Sequence, residues 1–265
     1  MSLRKSFDKY LKIKATNWTL LKEMINSPLH FDHRRSNPRE DSTGLARGRA
    51  VHTVVLEPEN FSREYVVFTG ERRQGNAWKE FQQAYKGYTI LKQDEYDKAM
   101  RAGQAVRKHP EAWAIIKDCA YEKTLTWTDK KTKIKCKARV DGIGASLFDL
   151  KTTGKVDARL FGNLAARMLY HGQLAFYNDG AKHTGEVHII AVEAEPPHDV
   201  AVFTLGEDEL LIGREMYEGF LTRVKECTKS GIWPGRYPER QRLSLPRYVY
   251  GDDEEGGSYE IVEAA

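Results

Sequence analysis

The strongest pattern in the chain lies in residues 133–153, which read KIKCKARVDGIGASLFDLKTT. Apolar and charged residues alternate there one by one, and a period of two is typical of a β-strand with two different faces. The alternating positions are Ile134, Cys136, Ala138 and Val140 on the apolar side and Lys133, Lys135, Lys137, Arg139 and Asp141 on the charged side. We therefore expect one face of this strand to lie in the core and the other to be charged.

Two further strands are predicted beside it. Residues 123–128 form the other arm of a hairpin whose turn is residues 129–132. After a turn that contains glycine, residues 147–152 alternate again, so that Asp149 and Lys151 lie on the same side of a third strand. The spacing predicts that the three strands are neighbours in one sheet.

The rest of the chain shows helical and strand patterns in mixed order. The predicted helices are residues 17–31, 42–56, 94–108, 111–118, 157–178 and 207–230, and the further strands are residues 186–193 and 199–205. Residues 62–93 show neither period and are expected to be irregular. This order predicts an α/β fold with a central mixed sheet flanked by helices, across which the helix of residues 157–178 packs.

The length of 265 residues fits one large domain with a hydrophobic core. We expect that domain to cover residues 1–250, with its core at about 43–60 and 121–230 and a helical or irregular lobe at 61–120. Residues 251–265 carry four consecutive acids, and we expect them to form a disordered acidic tail.

Composition excludes several classes of protein. No apolar run reaches the roughly 20 residues that cross a bilayer, and residues 1–10 lack the apolar segment of a secretion signal. We therefore expect a cytoplasmic protein without membrane contact. Three distant cysteines, Cys119, Cys136 and Cys227, provide neither a disulfide framework nor the four ligands of an iron–sulfur cluster. The net charge of +4 includes the acidic tail, so the remainder is more basic and suits either an anionic partner or a merely solvated surface.

Two acids and a lysine are spaced to share one site. Asp141 ends the charged face of its strand, Asp149 follows on the next strand, and Lys151 lies about 7 Å further along the same face. Two adjacent carboxylates need a cation between them, and hard cations such as Mg²⁺ prefer oxygen ligands. An ammonium beside them can orient or deprotonate the water that attacks a phosphodiester. The alternative, which a lone D-x-K pattern favours, is an ordinary surface ion pair.

Three residues outside these strands extend the candidate site. His52 continues a helix stripe in which Gly44 and Gly48 allow another backbone or a ligand to come close. Gln173 and Tyr177 form an i, i+4 pair on one face of the long predicted helix. The alternatives are a structural histidine at His52 and core packing for the other two.

Taken together, the motifs of residues 17–180 resemble a known family. They are Ser27-Pro28-x-His30-Phe31, Gly48-Arg49-Ala50-Val51-His52, Leu56-Glu57-Pro58-Glu59, Arg139-Val140-Asp141, Asp149-Leu150-Lys151-Thr152-Thr153 and Tyr170-His171-x-Gln173-x-x-x-Tyr177. As a set they resemble the exonuclease VIII (RecE) branch of the PD-(D/E)XK nucleases. The resemblance implies that the predicted sheet is a restriction-endonuclease-like core.

The resemblance also implies roles for single residues. The ligands it implies for Mg²⁺ or Mn²⁺ are His52, Asp141, Asp149 and the Leu150 carbonyl. Lys151 would serve the attacking water. Gln173 and Tyr177 would contact the substrate or steady the metal site, as the corresponding helix motif does in RecB-type nucleases. The resemblance thus implies five catalytic residues, which are Asp141, Asp149, Lys151, Gln173 and Tyr177.

The activity implied by the resemblance is a magnesium-dependent exodeoxyribonuclease. Such an enzyme degrades double-stranded DNA from its ends, 5′ to 3′, and leaves a 3′ single strand for an annealing recombination protein of the RecT type. A ring-like homo-oligomer is implied as well. Two rivals stay open at this point: a structure-specific or single-strand DNA endonuclease of the same fold, and a catalytically silent DNA-binding module.

Candidate contacts to DNA are cationic and aromatic residues, because phosphates attract cations and bases stack on aromatic rings. These candidates are Arg47, Arg49, Arg72, Arg73, Trp78 and Lys79. A solvated rim is the alternative for each of them.

Overall fold

A computed structural model of the chain describes residues 3–37 and 43–246. The predicted acidic tail, residues 251–265, lies outside these ranges. Within them, no helix combines the length and the apolar character that crossing a membrane requires. The division of the chain into one domain and a tail stays a prediction.

In the described ranges, seven strands form two sheets. They are β1 (Tyr65–Phe68), β2 (Thr89–Lys92), β3 (Ala120–Thr128), β4 (Lys135–Ile143), β5 (Leu147–Thr153), β6 (Val187–Glu193) and β7 (Val200–Leu205). The large sheet has the order β3-β4-β5-β6-β7, in which β5 and β6 are parallel and the other neighbours antiparallel. The predicted mixed sheet is confirmed, including the hairpin of β3 and β4.

Helices cover both faces of the large sheet. The α-helices are α1 (Leu3–Lys12), α2 (Trp18–Leu21), α3 (Pro28–Ser36), α4 (Thr43–Leu56), α5 (Phe61–Glu64), α6 (Gly75–Ala84), α7 (Gln93–Lys108), α8 (Pro110–Ile116), α9 (Ala158–Met168), α10 (Tyr170–Ala181) and α11 (Glu207–Ser230). Two short 3₁₀ turns cover Lys22–Ile25 and Pro58–Asn60.

Each face of the large sheet is buried in its own apolar cluster. On one face, Val140 of β4 packs in a cluster with Leu174 of α10 and Leu221 of α11. On the other face, Phe148 of β5 belongs to a cluster with Val55 of α4 and with side chains of α7. Strand β6 is buried along its whole length, as expected for a central strand. The polar side chains on either face of β5 therefore lie beneath helices.

The chain between β5 and β6 folds into two helices, whereas the sequence predicted one helix over residues 157–178. Leu169 has a left-handed backbone (φ 59°) and ends α9, so that α10 begins at Tyr170. A left-handed φ is unfavourable for a residue with a side chain, and packing of Leu169 against the core offsets that cost. Gly180 does not end the helix as predicted, and it lies instead against the ring of Trp127, where a Cβ would not fit.

The segment predicted to be irregular, residues 62–93, contains a small parallel sheet. Strands β1 and β2 pair over their whole length, and α6 lies between them in the chain. Strands of four residues are too short to show a clear period of two, which explains why the sequence pattern missed them. Tyr65 and Leu91 of this lobe share an apolar cluster with Phe148, so the lobe packs on the large sheet.

The charged face of β4 is covered in part: Lys135 is exposed, Lys137 is buried, and Arg139 and Asp141 are partly buried. Lys137 Nζ donates hydrogen bonds to the carbonyls of Tyr10 at 2.9 Å, Leu11 at 3.4 Å and Ile13 at 2.8 Å. These carbonyls belong to the end of α1, where backbone acceptors lack helical partners and favour a cation. Helix α1 thus covers a strand face that would otherwise be in solvent.

Helices α2 and α3 replace the single helix predicted for residues 17–31. Asn17 caps α2, as predicted, by accepting a hydrogen bond from a backbone N–H at 2.9 Å. Ser27 and Pro28, which were expected to end the helix, begin α3 instead: the Ser27 side chain accepts a hydrogen bond from the His30 N–H. Proline suits a first helical turn because it has no N–H that needs a partner.

Candidate active site

Asp141 lies at the point where β4 and β5 separate. The ladder between the two strands includes the pair Gly142–Phe148, where a Cβ at Gly142 would collide with the Phe148 ring. Next to this pair, the Asp141 carboxylate accepts a hydrogen bond from the Leu150 N–H at 2.7 Å. In an extended strand, the carbonyl of a residue points to the same side as its N–H. The Leu150 carbonyl is therefore on the Asp141 side of β5.

Asp149 and Lys151 lie side by side on β5. The Lys151 ammonium contacts Asp149 Oδ2, and their side chains are 19% and 5% exposed respectively. The same ammonium lies 3.3 Å from Gln173 Oε1 and 4.7 Å from the centre of the Tyr170 ring. Burial of this kind excludes the ordinary surface ion pair that was the alternative for Asp149 and Lys151. Tyr170, the first residue of the helix motif, is thus a neighbour of the site, although no role was predicted for it.

Helix α10 contributes an amide that connects the groups of this site. Gln173 Nε2 donates hydrogen bonds to Asp149 Oδ1 at 2.9 Å and to the Tyr177 hydroxyl at 3.1 Å. Its carbonyl oxygen faces Lys151, so one side chain contacts both members of the ion pair. The structure thus brings Gln173 and Tyr177 to Asp149 and Lys151, while their proposed roles stay predictions.

Helix α4 brings His52 to Asp141. His52 Nδ1 lies 3.5 Å from Asp141 Oδ2. One turn earlier, a Cβ added at Gly48 would lie 3.5 Å from Thr152 Oγ1. A Cβ at this distance would make an ordinary contact, so α4 runs beside β5 at Gly48 without needing a glycine there, and His52 lies one turn further on, at the acids.

One further acid in this cluster, Glu122 on β3, was not predicted from the sequence. One ligand atom from each of His52, Glu122 and Asp141 lies within 4.8 Å of the other two. The pairs on either side of Glu122 place it opposite Asp141 in the β3–β4 hairpin. Only this register could have indicated Glu122, because no motif of the sequence contains it.

A family model described as "PDDEXK-like domain of unknown function (DUF3799)" matches residues 17–241. The chain belongs to this PDDEXK-like family. The matched residues include all strands of the large sheet and every side chain of the site described above. The PD-(D/E)XK fold predicted from the sequence is therefore confirmed, whereas membership of the RecE branch stays a prediction.

Two solved structures resemble the PDDEXK-like chain. A "putative exonuclease" from Eubacterium rectale is 12% identical, with a TM-score of 0.59, over 91% of this chain and 94% of that chain. The second, SSO0001, is 13% identical over 76% of this chain and 84% of that chain, with a TM-score of 0.29. The first likeness shows a shared fold. No curated protein matches the chain.

Burial and crowding shift the pKa values on the His52 side of the PDDEXK-like site. Burial raises the pKa of Glu122 and the Asp141 carboxylate raises it further, to about 7, although Arg139 opposes the change. Burial alone would lower the pKa of His52, but the neighbouring Asp141 carboxylate raises it to about 9. Without a bound ion, His52 is therefore an imidazolium that partly neutralises Asp141.

The two central acids of the PDDEXK-like site differ in the direction of their shifts. Burial raises the pKa of Asp149, and the Asp141 charge adds to this although Lys151 opposes it. For Asp141, burial acts in the same direction, but His52 and Lys151 outweigh it and lower the pKa. Paired acids with opposite shifts are typical of sites that perform acid, base or electrostatic work.

The residues present fit a divalent cation. Carboxylate and carbonyl oxygens are ligands of Mg²⁺ and Mn²⁺, and an imidazole nitrogen suits transition ions such as Mn²⁺. His52 offers a nitrogen and Asp141 an oxygen within 4.8 Å of each other, in a group that does not include Asp149. The Asp149 oxygens instead contact Gln173 and Lys151, although Asp149 lies close enough to Asp141 for that charge to raise its pKa. The crowding of acids raises the pKa values of Asp149 and Glu122, and added positive charge would relieve this repulsion.

The six candidate DNA contacts of the PDDEXK-like protein fall in two places. Arg47 and Arg49 belong to α4, less than two turns before His52. Arg47 is exposed, and Arg49 is partly buried. These two guanidinium groups are therefore close along the helix to the proposed catalytic centre.

The other four candidates lie in the lobe, in or just before α6. Arg73 is engaged within the lobe, because it donates to Glu95 Oε1 at 3.1 Å and to the Ile90 carbonyl at 3.0 Å. The Trp78 ring packs edge-on against a phenylalanine of β1. Arg72 and Lys79 are exposed. DNA contact by any of the four stays a prediction.

Proposed function

We propose that this protein is a Mg²⁺- or Mn²⁺-dependent deoxyribonuclease that degrades double-stranded DNA from its ends, 5′ to 3′. The observation that carries the proposal is the convergence of Asp141, Asp149 and Lys151 in one enclosed site, where Gln173 contacts two of them. Membership of the PDDEXK-like family supports nuclease chemistry. The resemblance to exonuclease VIII supports DNA ends as the substrate.

The proposed ligands of the cation are His52, Asp141, Asp149 and the Leu150 carbonyl. A divalent cation in this place supplies positive charge for the phosphate and lowers the pKa of water. The neighbouring Asp141 carboxylate raises the pKa of His52 to about 9, so the protein must release the His52 proton when the site is loaded.

Lys151 acts as a cation in the proposed reaction. Burial would lower the pKa of its ammonium, but Asp149 and Asp141 raise it above the ordinary value. The proton therefore stays on Nζ at neutral pH. From that position Lys151 donates hydrogen bonds to the attacking water and stabilises the charge that develops on the phosphate.

Gln173 and Tyr177 position Asp149 and Lys151. The Gln173 amide donates to Asp149 Oδ1 and accepts from Lys151 Nζ, which fixes the orientation of both side chains. Tyr177 accepts the second amide hydrogen of Gln173 and so fixes the amide itself. Cationic side chains around the site would contact the substrate. Arg47 and Arg49 are candidates, because they precede His52 on α4 by less than two turns.

The resemblance to exonuclease VIII extends the proposal to partners. We propose a ring-like homo-oligomer that stays on one DNA end, and a RecT-type annealing protein that takes over the 3′ single strand. A cytoplasmic location follows from that role in DNA recombination.

The proposal is tested by digestion of linear duplex DNA that carries a label on one end, with Mg²⁺, Mn²⁺ or a chelator. We expect cleavage with either ion and none with the chelator. Asp149→Asn should lower the rate about 10³-fold, because it removes a charge at the reacting phosphate without changing the shape of the side chain. Asp118→Asn, which removes a charge from an exposed acid, should cleave at the wild-type rate.

The DNA substrate separates the proposal from its rivals. A nuclease that starts at 5′ ends releases a 5′ label first and leaves covalently closed circles intact. Cleavage of circles would favour the endonuclease instead. Duplex binding without cleavage in either ion would show a silent DNA-binding module, and full activity of Asp149→Asn would contradict the assignment of the site.

A further inference from the structure

Glu122 lies beside the proposed metal ligands on a neighbouring strand. Its backbone has a φ of 51°, which residues with side chains rarely adopt. Its side chain is 16% exposed, and Arg139 Nε lies 2.6 Å from Glu122 Oε2. A carboxylate has two oxygens, so an ion pair through Oε2 leaves Oε1 for a second partner.

The spacing of the ligand atoms suits one ion. One atom each from His52, Glu122 and Asp141 falls within 4.8 Å of the others. An octahedral ion that bonds its ligands at about 2.1 Å separates adjacent ligand atoms by about 3 Å and opposite ones by about 4.2 Å. Only small movements are therefore needed for these three side chains to surround a common cation.

We propose that Glu122 is a further side-chain ligand of the divalent cation that His52 and Asp141 hold, an inference that rests on the proposed metal-dependent function. The motifs that resemble exonuclease VIII do not include Glu122. The cation then has two carboxylates and one imidazole from three different elements, β3, β4 and α4, in addition to the groups of β5. With a nitrogen among the ligands, Mn²⁺ binds more tightly than Mg²⁺.

The other role open to Glu122 is that of a counter-ion for Arg139. That role predicts a change in folding stability when the carboxylate is lost, without a specific effect on metal affinity. Glu122→Gln separates the two roles, because its amide oxygen still accepts a hydrogen bond from Arg139 while its nitrogen cannot bind a metal ion. Glu122→Asp keeps the carboxylate but shortens the side chain by one methylene group, which moves the charge away from the cation.

Titration of the full chain with Mn²⁺, followed by the electron paramagnetic resonance signal of the free ion, measures the dissociation constant without DNA. We expect Glu122→Gln to weaken Mn²⁺ binding by at least about tenfold and Glu122→Asp by less. Glu57→Gln is the matched control, because Glu57 acts on the Glu122 charge but lies outside the ligand cluster. The control should change the dissociation constant by less than about threefold, and thermal unfolding without metal checks that each variant is folded.

Several results would overturn the inference. Glu122→Gln could bind Mn²⁺ as tightly as the wild type, or no more weakly than Glu57→Gln, and Glu122 would then be the counter-ion of Arg139. A wild-type chain that binds no Mn²⁺ would overturn both this inference and the metal-dependent function. Mn²⁺ binding through Glu122 without DNA cleavage would contradict only the nuclease proposal, and cleavage with an unchanged Glu122→Gln affinity would contradict only the ligand assignment.

Discussion

Asp149 and Asp179 each contact one cationic side chain and one uncharged hydrogen-bond donor, and helix α10 takes part in both clusters. Their surroundings nevertheless shift the pKa values of the two acids in opposite directions. Asp149 is 3% exposed, contacts Lys151 and accepts a hydrogen bond from Gln173 of α10. Burial and the neighbouring Asp141 charge raise its pKa, although Lys151 opposes them. In this cluster the ionised form of the acid is disfavoured.

Asp179, on α10 itself, has a balanced environment. Arg214 donates to both of its oxygens, at 2.6 and 2.8 Å, and the Tyr217 hydroxyl donates at 2.7 Å. Burial would raise the pKa of Asp179, but these hydrogen bonds outweigh it and lower the pKa. The Asp179 cluster joins α10 to α11, whereas in the Asp149 cluster the charge of Asp141 disfavours the ionisation of Asp149, a repulsion that a bound cation would relieve.

The cations of the two clusters give the largest expected contrast. Lys151→Met should lower the rate of DNA cleavage by about 10²–10³-fold, because it removes the positive charge from the reacting phosphate. Arg214→Met should keep the rate per folded molecule within about twofold and instead lower the stability of the fold. The measurement is the initial rate on linear duplex DNA, corrected for the folded fraction.

Duplex binding in the presence of a chelator provides the control for this pair of variants. Lys151→Met should bind duplex DNA within a few-fold of the wild type, since its contacts are with Asp149, Gln173 and Tyr170 inside the protein. Retention of more than a tenth of the wild-type rate by Lys151→Met would remove Lys151 from the proposed chemistry.

The uncharged donors, Gln173 and Tyr217, give a smaller contrast. Gln173→Leu should lower kcat by about 10–100-fold, the usual effect of losing a group that orients a catalytic side chain, while KM changes by less than about threefold. Tyr217→Phe removes a donor from Asp179 and should leave both constants unchanged. A rise in KM alone for Gln173→Leu would show that Gln173 binds DNA and does not position Asp149.

Local patterns predicted the sheet well, and contacts between distant segments account for what they missed. Strands β4 and β5 were predicted because alternation within a few residues reports a strand directly. The burial of Lys137 could not be predicted in this way, since the carbonyls that it contacts belong to α1, at the other end of the described chain. The break at Leu169 was also missed, because apolar spacing continues from α9 into α10 while only the backbone changes.

The residues of the candidate site also divide into those that local patterns predicted and those that depend on distant segments. Asp141, Asp149 and Lys151 followed from strand spacing, because neighbouring strands bring residues of one hairpin and turn together. His52 and Gln173 come from helices far along the chain, and the resemblance of the whole motif set was needed to connect them with the acids. Glu122 was not predicted, because its place in the site depends on the β3–β4 register and on an unusual φ.

The two acids themselves should change stability in opposite directions. The folded-state pKa of Asp179 is lowered, so its stabilising contribution is complete above the unfolded value of 3.8 and is lost as pH falls through the folded value. For Asp149 the folded-state pKa is raised, so stability falls as pH rises from 3.8 through the folded value. At pH 7 ionisation of the first acid stabilises the fold, whereas burial opposes the ionisation of the second.

The corresponding amides test this difference by thermal unfolding without metal. At pH 7, Asp179→Asn should lower the melting temperature by about 2–6 °C, which corresponds to about 1–2 kcal/mol for hydrogen bonds near the surface. Asp149→Asn should melt closer to the wild type than Asp179→Asn does, because the loss of the Lys151 ion pair is offset by removal of a charge whose ionisation burial disfavours. The Asp179→Asn deficit should shrink as the pH falls below about 4, since the unfolded wild type then binds a proton at Asp179, and it should vanish once the folded carboxylate is protonated too. If Asp149→Asn melted lower than Asp179→Asn at pH 7, the acid at the proposed metal site would be stabilising, and the contrast between a balanced cluster and one that awaits a cation would be lost.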